Sequence, residues 1–409
     1  MSGLDRRTGP VMRVREIGAQ MSSPGPRVVV LGGGVVGLAC AWSLARRGAD
    51  VELWDPSPGQ GASHAAGGML APVSEATYEE EDLLALALAS HARWPDFAAR
   101  LEAGSDISPD LHTEGALHVG MDLDDAREVW RTADLLERYS LPYQRLSSRE
   151  LRWVAPALAP GARTALLVES DLWVDNRFVV QGLLAASARA GVELVPRRGG
   201  LVLEDGRVVG VTSCDHGPPL ESRCDTVVLA SGVDSGGVPG VAELVHLPLR
   251  PVKGQILRMS GARGLLGHTV RGTVHGDHVY LIPRATGELV IGATSEELGD
   301  TQVTGRGLLE LLRAATTLLP EVGELTLVDA VARLRPGTPD NGPLLGRVGT
   351  PGLVVATGHF RHGMLLAPVT ADLVTELVLD GTTDVAEAAP FAATRYTPTP
   401  LPLSPPTPQ

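Results

Sequence analysis

The sequence predicts an α/β chain in which a Rossmann-like dinucleotide-binding domain is interrupted twice by segments of a second, mixed-sheet domain. Three observations predict this arrangement. Residues 27–55 have the order strand, glycine turn, helix and strand of a βαβ unit. Further nucleotide-domain patterns recur near residues 190–232 and 353–378. The intervening segments are rich in strand patterns, and 409 residues suit two domains.

The first βαβ unit lies in the stretch RVVVLGGGVVGLACAWSLARRGADVELWD. Val28–Leu31 is a continuous β-branched and aliphatic run, as expected for a strand that is buried on both faces of a parallel sheet. A helix-like run follows the glycines, and Val51–Trp54 is the next strand. The order of these elements predicts the nucleotide-binding end of the sheet.

Each glycine of the turn has its own expected task. Gly32 allows the tight turn, Gly34 leaves the backbone open to a pyrophosphate, and Gly37 permits close packing of the helix. The helix begins near Val35 and Val36, where free N–H groups and the positive end of the dipole attract phosphate. Asp55 ends the second strand at the spacing where a carboxylate binds the adenosine ribose. Together these residues predict an adenine dinucleotide.

The following segments begin with GASHAAGGMLAP, a loop of small residues that would let the backbone wrap a bulky ligand. Glu79–Leu101 has the apolar spacing of one helix, and Asp124–Tyr139 that of another, with the short strand GALHVG between them. Arg177–Ala190 is predicted as a helix leading to the strand Val192–Val195. The run LVLEDGRVVGV predicts a hairpin that turns at Asp205–Gly206.

A second apolar strand, DTVVLASG, ends in small residues that are expected to contact the nucleotide: Ala230, Ser231 and Gly232. A strand pair is predicted around Ala285–Gly287, and a helix ends before Pro320. The last globular segment is a strand, a glycine loop and a long helix that starts near Gly363.

These elements give the domain boundaries. The nucleotide domain is assigned residues 26–75, 150–235 and 330–385. The second domain is assigned residues 76–149 and 236–329. Residues 1–25 are expected to be a disordered tail. Residues 386–409 are assigned to a proline-rich tail, whose last part, TPTPLPLSPPTPQ, is expected to be extended and disordered.

Composition argues against several functions. The net charge of −13 disfavours binding to nucleic acid or to an anionic membrane. No apolar run reaches about 18 residues, so no transmembrane helix is expected. The three cysteines show no CxxC spacing, which indicates a reducing, cytoplasmic compartment and no structural zinc. His359 and His362 have HxxH spacing, but no nearby acid or cysteine completes a metal site, so none is expected.

Motifs spread from Arg27 to Leu379 resemble the FAD-dependent amine oxidases of the D-amino acid oxidase superfamily, and among them the glycine oxidases of thiamine biosynthesis. Besides the glycine turn they read ASHAAGGMLAP, VVLASG, PVKGQ, YLIPRATGELVIGAT, LRPGTPDNGPLLG and TGHFRHGMLLAP. The resemblance implies a two-domain flavoprotein with noncovalently bound FAD. It also implies a small amino acid as the substrate and molecular oxygen as the acceptor, and it makes a homotetramer plausible.

The resemblance further implies which residues hold the cofactor. Val35 and Val36 follow the diphosphate turn, and Asp55 and Pro56 meet the adenosine ribose. The small-residue loop along the flavin comprises Ala62, Ser63, Gly67, Gly68 and Met69. The loop at the pyrimidine end of the flavin comprises His359, Phe360, Arg361, His362, Gly363, Met364 and Leu365. A helix start at this end can stabilise charge on the reduced ring.

For the substrate, the resemblance implies that Arg335 and Tyr280 bind the carboxylate, that Arg361 and His278 lie close by, and that Met69 contacts flavin or substrate. Arg335 precedes Pro336, which restricts the backbone, and a planar guanidinium suits a bidentate carboxylate contact. Simpler interpretations are a core tyrosine for Tyr280, a solvated side chain for His278, and a loop salt bridge for Arg361. Lys253 is expected to be structural.

Some positions depart from the family. The usual serine or threonine pair of the small-residue loop is Ala62–Ser63, and Asp234 stands where a tryptophan is common. Sarcosine oxidases typically carry a tethering cysteine and an oxygen-activating lysine. Here no cysteine follows Cys224, and Val290 occupies the strand ELVIG, which contains no lysine. These departures favour a glycine oxidase over a sarcosine oxidase. A D-amino acid dehydrogenase and a flavin-binding protein without turnover remain alternatives.

Overall fold

The computed structural model describes residues 25–397, so the tail predicted at the N-terminus lies almost entirely outside the described residues. The helices are α1 Val35–Arg46, α2 Ala62–Ala65, α3 Glu81–His91, α4 Trp94–Ser105, α5 Leu123–Arg138, α6 Ser148–Val154, α7 Asn176–Arg189, α8 Gly305–Leu318 and α9 Ala367–Leu379. The strands are β1 Arg27–Leu31, β2 Asp50–Trp54, β3 Met69–Leu70, β4 Ala116–Gly120, β5 Gln144–Ser147, β6 Thr164–Val168, β7 Leu172–Trp173, β8 Glu193–Val195, β9 Gly199–Glu204, β10 Arg207–Ser213, β11 Glu221–Arg223, β12 Thr226–Leu229, β13 Arg250–Ser260, β14 Thr269–Val274, β15 Asp277–Pro283, β16 Glu288–Gly292, β17 Thr326–Gly337, β18 Leu344–Arg347 and β19 Leu353–Thr357.

The first sheet has six strands in the order β18-β19-β12-β1-β2-β8, all parallel except β18. In the central strand β1, Val28 and Val30 pack with helices α1, α7 and α9. Val29 and Leu31 pack on the opposite side with the three-stranded sheet of β9, β10 and β11. Both faces are covered, which explains the continuous apolar run. The carboxyl ends of β1, β2 and β12 lie side by side, and the loops that leave them line the site.

The second sheet has eight strands in the order β17-β13-β16-β15-β14-β4-β6-β5. Its back face packs against α8 through residues such as Leu257 and Ile291. Its front face carries Ile282 and Tyr280, which pack towards Ala65 of α2 in the nucleotide domain. Alternate residues of each strand therefore serve the back core and the space between the two sheets.

The boundaries assigned from sequence fall too early in two places. Strand β6 pairs with β4 and β5 in the second sheet, although residues 150–235 were assigned to the nucleotide domain. Strand β17 pairs along its length with β13, although the nucleotide segment was expected to begin at residue 330. Strand patterns show that these segments are extended, but they do not show which sheet edge each one joins.

Two helix boundaries also differ from the expectation. Glu79–Leu101 is not one helix, because α3 ends at His91 and α4 begins at Trp94. Pro95 has no N–H to donate to the preceding turn, so it suits the start of a new helix. The last helix begins at Ala367 rather than near Gly363, because Phe360–His362 forms a 3₁₀ turn before it.

The assignment of residues 386–409 to a proline-rich tail is wrong for residues 386–397, which pack on the nucleotide domain. Ala386–Phe391 forms a 3₁₀ turn, and both Phe391 and Ala393 are buried in the cores of the nucleotide domain. Arg395 Nη2 donates to Asp340 Oδ1 at 2.8 Å. Within residues 25–397, no helix combines the length and the apolar character that a membrane crossing requires.

Candidate active site

A cavity of about 1580 Å³ lies between the carboxyl ends of the first sheet and the front face of the second. Every residue that the sequence assigns to a site lines it except Gly37, His362 and Leu365. Gly37 packs on the turn itself, and Leu365 belongs to the core. The fold thus brings the predicted nucleotide and substrate residues to one cavity, while their contacts with a ligand stay predictions.

The glycine turn is shaped by close backbone approaches. Gly32 has a φ of 111°, and a Cβ there would lie 2.4 Å from the carbonyl oxygen of Ala230. A Cβ on Gly37 would lie 1.9 Å from the carbonyl oxygen of Gly32. In front of Gly34 the nearest atom is Ser63 Oγ, 3.4 Å from an added Cβ. Two glycines are therefore needed for packing, and the middle one leaves space for a ligand at the start of α1.

The acid at the end of β2 binds backbone amides. Asp55 Oδ2 accepts from the N–H of Gly33 at 2.7 Å, and Oδ1 accepts from the N–H of Ser57 at 2.7 Å. These bonds fix the carboxylate beside the glycine turn. Each carboxylate oxygen can accept a further bond, so the ribose role proposed for Asp55 remains open to it.

The small-residue loop is held from both domains. Ser63 Oγ accepts from the N–H of Val35 at 2.9 Å, which caps the first turn of α1. The buried Asn176 donates to the carbonyl of Ser63 at 2.8 Å, and Arg284 Nη2 donates to the carbonyl of Gly67 at 2.6 Å. Sequence reasoning missed Asn176 and Arg284. The only signal for the latter was its place in the YLIPR motif.

Tyr280 and Arg335 form the wall on the side of the second sheet. A Cβ on Gly67 would lie 3.1 Å from the Tyr280 ring, so the tyrosine packs directly against the small-residue loop. Burial raises the pKa of Tyr280 to about 12, so its hydroxyl stays a donor. Arg335 Nη1 donates to the carbonyl of Thr294 at 3.1 Å. Among residues 25–397, no carboxylate lies within 4.0 Å of this guanidinium.

Two other predicted substrate residues are engaged elsewhere. Arg361 Nη2 binds Glu80 Oε2 at 3.0 Å and Thr77 Oγ1 at 3.1 Å, which is the loop salt bridge that sequence left as the simpler interpretation. His278 is 68% exposed in its side chain and lies 3.5 Å from Glu128 Oε1. Both residues line the cavity, but each side chain already has a carboxylate of the protein as its partner.

The two histidines of the loop before α9 are buried and neutral. His359 Nε2 lies 2.9 Å from Thr370 Oγ1, and burial lowers its pKa to about 3. Burial likewise lowers the pKa of His362 to about 4. His362 lies 3.7 Å from Glu75 Oε2, behind the cavity wall. These side chains support the loop as uncharged groups at neutral pH.

Two polar side chains of the second sheet, His118 and Arg271, were missed by sequence reasoning. Strand register places Arg271 between His118 and Tyr280, all on one face. Arg271 Nη1 binds Glu75 Oε1 at 2.5 Å. Burial alone would raise the pKa of Glu75, but the Arg271 charge brings it below its usual value. Burial lowers the pKa of His118 to about 3, so this histidine is neutral at pH 7. Arg271 is then the one cation of the three, and it is paired with Glu75.

Comparison with known proteins identifies the family to which this chain belongs. Residues 27–377 match the family model described as FAD dependent oxidoreductase. The chain is 34% identical over 376 residues to a glycine oxidase of Pseudomonas putida, covering 90% of this chain and 98% of the relative. It is 31% identical over 362 residues to the bifunctional protein ThiO/ThiG of a Nostoc species, covering 87% of this chain and 53% of that protein. The crystal structure of glycine oxidase from Geobacillus kaustophilus superposes with a TM-score of 0.82 at 30% identity, covering 91% of this chain and 99% of the other.

Proposed function

This chain belongs to the family of FAD dependent oxidoreductases, and from that premise we propose that it oxidises glycine or a similarly small amine, such as sarcosine or a small D-amino acid. One observation carries the proposal. Arg335 and Tyr280 line the same cavity, and among residues 25–397 the guanidinium has no carboxylate partner and the hydroxyl has no hydrogen-bond partner. A carboxylate is the group that both would bind. Relatives named glycine oxidase support glycine as the first substrate to test.

The residues present fit FAD. The open space in front of Gly34 and the N-terminus of α1 suit a diphosphate, with the N–H of Val35 itself already donating to Ser63 Oγ, and Asp55 suits the ribose. We propose that the flavin lies along the loop from Ala62 to Met69 and meets His359–Met364 at its far end. When bound, FAD supplies the oxidation by accepting a hydride from the substrate α-carbon.

The protein's own contribution is mainly positioning. The planar guanidinium of Arg335 would hold the carboxylate through two parallel N–H bonds, and the Tyr280 hydroxyl would donate a third. The α-carbon is bonded directly to the carboxylate, so it has little freedom to move once the carboxylate is fixed. Binding energy is thereby used to orient the reacting C–H bond. No side chain is needed as a base for the C–H bond, and burial makes His118, His359 and His362 weak bases, because it lowers their pKa values to about 3 or 4.

The proposed overall reaction converts glycine, oxygen and water into glyoxylate, ammonia and hydrogen peroxide. The imine forms first and water then hydrolyses it. We propose further that the imine serves thiamine thiazole synthesis, with relatives named ThiO/ThiG in support, and that the enzyme works in the cytoplasm.

Oxygen consumption tests the proposal most simply. The purified holoenzyme is mixed with glycine, sarcosine or D-alanine, and peroxide and ammonia are measured alongside oxygen. Glycine-dependent oxygen uptake with equal amounts of peroxide supports an oxidase. Substrate reduction of the flavin without oxygen uptake, but with transfer to a quinone, would instead identify the D-amino acid dehydrogenase. No reduction by any of the three amines would refute the proposal.

A further inference from the structure

We infer that the tripeptide Lys253–Gly254–Gln255 of strand β13 positions the Arg335 guanidinium, using the two faces of one strand. The inference rests on the proposed function, because it takes Arg335 as the group that binds the substrate carboxylate. The three residues lie in the PVKGQ motif, which the site described above leaves without a role. Successive side chains of a strand alternate between faces, so Gly254 faces one way and its two neighbours the other.

The front face of Gly254 lies directly beneath the guanidinium. Val252 pairs with Arg335 across the two strands, so Arg335 shares the face of Val252 and Gly254. A Cβ on Gly254 would lie 2.3 Å from Arg335 Nη1 and 2.4 Å from both Cζ and Nη2. The planar group therefore crosses the strand at the one position where no side chain stands. Any other residue at position 254 would have to push the guanidinium away.

The guanidinium of Arg335 crosses β13 and reaches a backbone carbonyl on the other side. Arg335 Nη1 donates to the carbonyl oxygen of Thr294, which lies on the far side of β13. The segment after β16 continues beside β13 through paired backbone bonds between Lys253 and Glu296, at 2.8 and 2.9 Å. Gln255 N–H also donates to Thr294 Oγ1 at 2.9 Å. The position of the Thr294 carbonyl thus depends on how firmly this segment is held against β13.

The back face of the tripeptide supplies that hold. Lys253 is fully buried, and its Nζ donates to Asp300 Oδ1 at 2.7 Å. Gln255 Nε2 donates to Glu296 Oε1 at 2.7 Å, and Gln255 Oε1 accepts from the N–H of Thr304 at 2.8 Å. These bonds tie the start, middle and end of residues 294–304 to one strand. Lys253 and Gln255 are accordingly positioning residues that act through Thr294.

The decisive test is a double-mutant cycle between Gly254→Ala and Arg335→Ala in the FAD-bound enzyme. An added methyl moves the guanidinium from an added-Cβ distance of 2.3 Å to ordinary contact at 3.4 Å or more, a shift of about 1 Å. Misplacement by that distance lowers kcat/KM by about 10- to 100-fold, and we expect the loss mainly in KM for glycine with unchanged FAD content. In the Arg335→Ala background the three atoms nearest to the added methyl are removed, so Gly254→Ala should change KM and melting temperature much less than it does in the wild-type background.

Matched variants separate positioning from folding. Gly267→Ala is the control, because a Cβ there meets no atom within 4 Å, and it should leave KM unchanged. Lys253→Met removes the buried charge and leaves Asp300, 48% exposed, in contact with water. It should raise KM for glycine less than Gly254→Ala does. If Gly254→Ala alone fails to fold, recovery of folded protein in the double variant supports the same collision.

Equal losses of melting temperature from Gly254→Ala in both backgrounds, with glycine KM unchanged, would overturn the inference and leave an ordinary structural glycine. A wild-type enzyme that oxidises none of glycine, sarcosine and D-alanine would instead refute the proposed function. In that case the stability cycle still tests whether the methyl and the guanidinium collide.

Discussion

Replacing Arg335 by alanine removes the guanidinium that we propose binds the substrate carboxylate. The guanidinium is half-buried at the cavity wall, and its hydrogen bond goes to the Thr294 carbonyl. No carboxylate among residues 25–397 depends on it, so Arg335→Ala strands no buried charge. The loss should therefore appear in substrate binding rather than in folding or in FAD content.

The magnitude follows from the bonds that would be lost. A bidentate charge-assisted contact is worth about 2–4 kcal/mol. At about 1.4 kcal/mol per tenfold, this weakens apparent glycine affinity by about 30- to 1000-fold. Arg335→Lys should recover little, because an ammonium cannot reproduce the planar fork. An amine that lacks a carboxylate should be affected far less than glycine.

Steady-state oxygen uptake over a range of glycine concentrations, with flavin content measured on the same samples, checks this prediction. Arg263→Ala is a suitable control, because Arg263 lies on an exposed turn and bonds only to a backbone carbonyl, that of Thr286, among residues 25–397. Near-normal glycine kinetics in Arg335→Ala would show that Arg335 does not bind the substrate carboxylate. Arg361 would then become the candidate for the carboxylate, at the expense of its bond with Glu80.

Three further predictions concern the cofactor, the core and pH. Acid precipitation should release the yellow colour into the supernatant, since Cys214, the cysteine that lines the cavity among residues 25–397, lies beside Arg198 and outside the two loops proposed for the flavin, and colour that stays in the pellet would contradict noncovalent FAD. Phe391→Ala should lower the free energy of unfolding by about 3 kcal/mol, measured by denaturant titration, because its ring is only 4% exposed; an unchanged midpoint would show that the segment does not dock. Folding lowers the pKa values of His118, His359 and His362 from 6.5 to about 3 or 4. Below pH 6.5 the unfolded chain therefore binds more protons than the folded chain does. The free energy of unfolding should fall as the pH drops through this range, by up to about 1.4 kcal/mol per pH unit for each histidine. Asp171, whose pKa burial raises to about 6, offsets one proton of this effect, and a melting temperature that rises between pH 6 and pH 5 would contradict the assignment.

The nucleotide end of the molecule was predictable because its constraints are local. Gly32 adopts a left-handed φ, and the space in front of Gly34 is open, as the spacing of the turn indicates. Strand β1 is buried on both faces, and its apolar run predicts that burial. In each case the residue and the structural constraint that requires it lie within one short stretch of the chain.

The substrate end was less predictable because its contacts join distant segments. Glu80, the partner of Arg361, is 281 residues away in sequence, and nothing in either motif points to the other. The row of His118, Arg271 and Tyr280 exists only through the register of three strands. Phe391 was assigned to a tail because proline-rich residues follow it, although its ring packs in the same core as helix α9 and as helix α1, which lies far from it in sequence. Pairing partners of this kind are a property of the folded sheet.

Anaerobic mixing shows whether glycine delivers electrons to the flavin in this cavity. Glycine is added to the oxygen-free holoenzyme while the visible absorption of the flavin is followed, and glyoxylate is measured after quenching. We expect full bleaching of the flavin with one glyoxylate formed per FAD. A flavin that stays oxidised with glycine, sarcosine and D-alanine, yet is bleached by dithionite, would contradict the proposed function.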